Sequence, residues 1–70
     1  MASFNEANQA RLALKMRLSQ LAWYSSSWLE MDAGDWIVVV NVNGKVDDRI
    51  RKEVSPVFNG VEVRTTNNGK

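Results

Sequence analysis

Residues 36–43 read Trp-Ile-Val-Val-Val-Asn-Val-Asn, and this stretch decides the fold. Ile37, Val38, Val39, Val40 and Val42 are β-branched, stiff at χ1 and suited to a pleated surface, so the segment reads as a strand. Just before it, Asp32-Ala33-Gly34-Asp35 carries turn residues, and Trp28-Leu29-Glu30-Met31 is a candidate first strand. Together these segments predict a β-hairpin.

Toward the N-terminus, Ser25, Ser26 and Ser27 form a break, because consecutive serines compete for backbone hydrogen bonds and weaken a helix interior. Further upstream, Ser3-Phe4-Asn5-Glu6 fits a capping box, with the Ser3 hydroxyl and the Glu6 carboxylate each accepting from the other's amide. Phe4, Ala7, Leu14, Leu18 and Leu21 recur at helical spacing beyond it. A first helix is therefore predicted from about Phe4 to about Trp23.

Toward the C-terminus, Asn43-Gly44 suits a two-residue hairpin turn, but Val46, Ile50 and Val54 are spaced by four and favour a helix. The charges agree with the helix: Asp47 and Asp48 stand at its positive end, Arg51 and Lys52 near its negative end. Ser55-Pro56 stops it, since a residue before proline is pushed out of the helical region. Asn59-Gly60 then turns into Val61-Glu62-Val63-Arg64-Thr65-Thr66, whose alternation marks a strand with one buried face.

The expected fold is α+β, a single domain over residues 1–70 in the order αββαβ, with a three-stranded sheet carrying two helices on one face. Residues 1–3 and 67–70 are expected to fray. Period-two alternation sends Trp36, Val38, Val40, Val42, Val61 and Val63 toward the helices. It leaves Ile37, Val39, Asn41, Glu62, Arg64 and Thr66 on the open face, joined from the first strand by Tyr24, Ser26, Trp28 and Glu30. Trp36 and Trp23 are expected to pack against each other in the core.

The run from Ile37 to Thr66, an alternating strand ending in Asn43-Gly44, then a helix, then Asn59-Gly60-Val61-Glu62-Val63, resembles the closing part of BON domains. Those domains carry a second strand directly after the Asn-Gly turn, where this chain has Val46–Val54. The resemblance covers less than half of the chain and transfers no function.

Composition excludes more than it assigns. With no cysteine there is neither a disulfide nor a thiolate metal site, and with no histidine the usual base for a serine or threonine nucleophile is missing. Lys15, Lys45 and Lys52 stand in polar contexts that suit solvated side chains rather than catalytic bases. The carboxylate pairs Asp32/Asp35 and Asp47/Asp48 suit a turn and a helix cap better than acid–base work or a cation site. Gly34, Gly44, Gly60 and Gly69 are isolated, with no phosphate-loop cluster among them. The expectation is a protein that is not an enzyme and uses no cofactor or metal.

A 70-residue chain buries a small fraction of its surface and gains from oligomerisation. The open face, with Tyr24, Trp28, Ile37, Val39, Asn41 and Arg64, is therefore the candidate interface, for an unknown protein partner or for a second copy in a homodimer. The alternative is a single-stranded nucleic-acid surface, with Trp28 and Tyr24 stacking on bases and Arg11, Lys15 and Arg64 on phosphates. A net charge of +1 gives that alternative no long-range field. The apolar run Trp36–Val40 is far short of the ~20 residues a membrane span needs, and the start of the chain lacks the pattern of a secretory signal. A cytoplasmic protein with no membrane partner is expected.

Overall fold

Ser3 and Glu6 form the capping box: the Glu6 amide donates to the Ser3 hydroxyl at 3.2 Å and the Ser3 amide donates to the Glu6 carboxylate at 2.9 Å. These contacts belong to a computed structural model that describes residues 2–67. Helix α1, Phe4–Leu18, follows, and its buried residues Ala7, Ala10, Leu14 and Leu18 lie three and four apart on one stripe. The two alanines let the helix backbone approach the sheet closely. The helix ends at Leu18 rather than near Trp23, where turn bonds from the Leu21 amide to the Leu18 carbonyl and from the Tyr24 amide to the Leu21 carbonyl replace the helical ladder.

Strand β1 is longer than expected, Tyr24–Asp32, and it contains all three serines. Serine disfavours a helix without disfavouring an edge strand, so the residues that ended one pattern begin the next. Ala33 at φ 52 and Gly34 at φ 81 form a two-residue turn with both centres left-handed, which matches the twist of the flanking strands. Strand β2, Asp35–Val42, completes the hairpin.

The segment after Asn43-Gly44 contains a helix, but a shorter one than the Val46, Ile50, Val54 spacing predicts, with Val46 ahead of it and Val54 as an extended cap behind it. Asp47 caps α2, Asp48–Glu53, its carboxylate accepting from the Ile50 amide at 3.2 Å. A strand not expected from the sequence follows, β3, Val57–Phe58, joined to β4, Val61–Asn67, by a turn with Asn59 at φ 53 and Gly60 at φ 78. The sheet thus has four strands rather than three, in the order β1-β2-β4-β3, with β2 and β4 parallel and the other neighbours antiparallel. A two-residue strand beside a proline carries no alternation to read, which is why β3 is silent in the sequence.

Ala7, Ala10, Leu14 and Leu18 of α1, Ile50 of α2, and Val38, Val40, Val42, Val61 and Val63 of the sheet bury one cluster, so both helices lie on one face. Val38, Val40 and Val42 are completely buried, each contributing roughly 1.5–3 kcal/mol relative to exposure. Trp36 packs on the cluster's margin, but its aromatic partner is Phe4, at 5.2 Å and 82° edge-on, rather than Trp23. The early helix end accounts for this, since Trp23 sits in the turn and contributes its carbonyl to the Asn43 amide at 2.8 Å. At the N-terminal end the Ala2 amide donates to Asp35 and its carbonyl accepts from Trp36, and at the other end Asn67 pairs with Val42. Met1 and residues 68–70 lie outside the described residues. Among those described, no helix is long and apolar enough to cross a membrane.

Candidate functional site

Register places the open face of the sheet residue by residue. Trp28 pairs with Val39, which pairs with Arg64, while Glu30 pairs with Ile37 and Ser26 with Asn41, which pairs with Thr66. Trp28, Ile37, Val39, Asn41 and Arg64 therefore do share this face. The exposed apolar patch expected there does not form, because Ile37 is 1% and Val39 6% exposed.

Long side chains on the neighbouring strands roof over those two residues. The Arg64 guanidinium donates to Glu62 at 2.7 Å and to Asp32, so it spans from β4 across β2 to the end of β1 and lies over Ile37. Hydrogen bonds to Glu62 first and to Asp32 second push its pKa above the ordinary value. On the other side the Trp28 indole donates to Glu30 at 2.7 Å. Apolar exposure on this face is reduced to Trp28, at 38%, and Val57. The sequence places the residues on the face correctly and misjudges their exposure, because alternation reports direction and not what a neighbouring arginine covers.

Tyr24 leaves the face altogether. It pairs with Val42 while Ser26 pairs with Asn41, so Ser25 is an extra residue in β1. This bulge reverses the alternation for everything before it. Tyr24 consequently packs against the helix-side cluster, and its hydroxyl shares a 2.9 Å hydrogen bond with that of Ser27. Arg11 and Lys15 stand nearby on the flank of α1. With Tyr24, Ser25, Ser26 and Ser27 they line a pocket of about 190 Å³. The nucleic-acid set is thus divided, with Arg11, Lys15 and Tyr24 around this pocket and Trp28 and Arg64 on the opposite face of the sheet.

The carboxylate pairs are engaged structurally, Asp32 with Arg64, Asp35 with the Ala2 amide and Asp47 with the Ile50 amide. Among the described residues no three His, Cys, Asp or Glu side chains gather as metal ligands would. A larger pocket, about 490 Å³, opens between α2 and β4 and is lined by Val46, Arg51, Val54, Pro56, Val63 and Thr65. Nothing in the sequence patterns marks it, since it arises where the short α2 leaves part of the sheet uncovered.

Strand β1 is also an edge of the sheet. The Trp36 amide donates to Ala2 and not to its partner Met31, so Met31 and Trp36 form a non-hydrogen-bonded pair. By alternation, the amides of Met31, Leu29 and Ser27 point away from β2 toward solvent. No family model matches the chain, and no curated protein and no solved structure matches it significantly, so the likeness of residues 37–66 to BON domains has no support beyond the residues that suggested it.

Proposed function

We propose that the protein is a non-enzymatic interaction module that pairs with a second copy of itself along strand β1, in the cytoplasm. The observation that carries this reading is the unpaired outer edge of a nine-residue strand. Such an edge is a template for another strand unless lysine, proline, a bulge or a covering segment blunts it, and the bulge at Ser25 leaves residues 26–32 regular. Tyr24–Asp32 contains neither lysine nor proline.

An antiparallel pairing centred on Trp28 suits the side chains. It sets Ser27 opposite the second copy's Leu29, where both outward amides bond, and Trp28 against its own equivalent. Glu30 falls opposite Ser26, so no like charges meet across the two-fold axis within the regular part of β1. The exposed indole gains a partner, and a domain with a small core gains a continuous eight-stranded sheet. Of the six candidate interface residues, Trp28 stands nearest the axis, whereas Ile37, Val39, Asn41 and Arg64 lie inward on the same face and Tyr24 at the bulged end.

Light scattering on the chain and on Trp28→Lys tests the proposal. The unmodified chain is expected to exceed the 7.9 kDa of one copy as concentration rises, and the variant, which sets two ammonium groups face to face, is expected to stay at that mass with an unchanged circular dichroism spectrum. A single-copy mass for the unmodified chain at every concentration contradicts the reading.

A further inference from the structure

The pocket between α1 and the start of β1 collects an unusual set of groups for so nearly neutral a chain. Arg11 and Lys15 contribute two positive charges, Tyr24, Ser25 and Ser27 contribute hydroxyls, Ser26 lines the space from the strand, and no carboxylate lines it. Among the described residues neither cation forms an ion pair. Arg11 gives one N–H to Asn8 at 3.2 Å, which fixes the guanidinium and leaves its remaining donors unspent. Tyr24 and Ser27 share one hydrogen bond, so one of their two protons is free to donate elsewhere. The bulge inserts Ser25 into β1 without a paired residue on β2, at the rim of the pocket.

Convergent donors without acceptors of negative charge are the chemistry that recognises a tetrahedral anion. We infer that this pocket binds a phosphate group, as a free phosphate dianion or the terminal group of a small phosphate monoester. Arg11 and Lys15 neutralise the charge, and the Ser25 hydroxyl and the one free proton of the Tyr24–Ser27 pair donate to its oxygens. A volume of about 190 Å³ accommodates such a group with little of the molecule that carries it, so recognition is confined to the phosphate end. This inference goes beyond the β1 pairing and does not rest on it.

Amide spectra of the full chain, recorded during titration at constant ionic strength, test the assignment in four arms: inorganic phosphate, glycerol phosphate, sodium chloride, and a single-stranded oligonucleotide without terminal phosphates. Either phosphate is expected to produce saturable shifts confined to the Arg11–Lys15 flank and Tyr24–Ser27. In Arg11→Gln/Lys15→Gln the dissociation constant should rise about ten-fold or more, as loss of charge-assisted bonds implies, and the milder Lys15→Gln should move it in the same direction. Shifts no larger than those with chloride, a response unchanged in the double variant, or an oligonucleotide response without a phosphate response would each overturn the assignment.

Discussion

Arg64 on β4 and Asp32 at the end of β1 are joined by an ion pair that passes over β2. The two residues are 32 apart in sequence and on strands that do not touch. Their contact converts a sheet face that alternation marks as apolar into a covered one, with Ile37 beneath the guanidinium. The face is consequently closed by side chains of its own chain, and the exposed apolar area lies at its margins, at Trp28 and Val57.

Replacing Arg64 with alanine should therefore do more than remove an exposed ion pair. It should uncover Ile37, lowering the thermal midpoint and raising the fluorescence of a dye that binds apolar surface. Because the pair is exposed, the loss of stability should shrink as salt is added. An unchanged dye signal would show that Arg64 does not cover the face.

The capping box makes a pH prediction. The Ser3 amide, and then the Ser3 hydroxyl contact, hold the Glu6 carboxyl below its ordinary value of 4.5. A folded-state pKa that is depressed gives stability present above the unfolded value and lost as the pH falls through the folded one. Denaturant titrations from pH 6 down to pH 3 should show that part of the loss in acid disappears in Ser3→Ala, which should also cost about 1 kcal/mol at neutral pH.

Much of the fold is legible because it rests on local chemistry. Ser3 and Glu6, the left-handed Ala33-Gly34 and Asn59-Gly60 turns and the Asp47 cap each act within a few residues, and each is visible as a short pattern. What is not legible depends on distant partners. The bulge at Ser25 is set by pairing with Val42 and Asn41, the roof over Ile37 by a strand 27 residues later in the chain, and β3 by β4 alone. The candidate interface suffered most, since one extra residue moved Tyr24 to the other face and one arginine buried the aliphatic centre.

Core packing on α1 should separate two residues only two apart. Leu14 is 1% exposed and Met16 78% exposed. Leu14→Ala should cost roughly 2–5 kcal/mol, enough to unfold a marginal domain, whereas Met16→Ala should stay within about 0.5 kcal/mol of the parent in urea denaturation.

At Gly60, φ is +78 and a new Cβ meets no atom within 4 Å. Any cost of Gly60→Ala is therefore conformational rather than steric, about 1 kcal/mol from the left-handed backbone. Asn59→Gly, which relieves the same conformation one residue earlier, should leave stability nearly unchanged in the same assay.

The central claim, that β1 pairs with a second copy along its outer edge, is tested most directly by amide hydrogen exchange at Ser27, Leu29 and Met31 as a function of protein concentration. These amides face away from β2, so in one isolated copy they should exchange rapidly, while those of Ser26, Trp28 and Glu30 are protected by the hairpin. Pairing predicts that protection at Ser27, Leu29 and Met31 grows with concentration and vanishes in Trp28→Lys. Rapid, concentration-independent exchange at all three positions would contradict it.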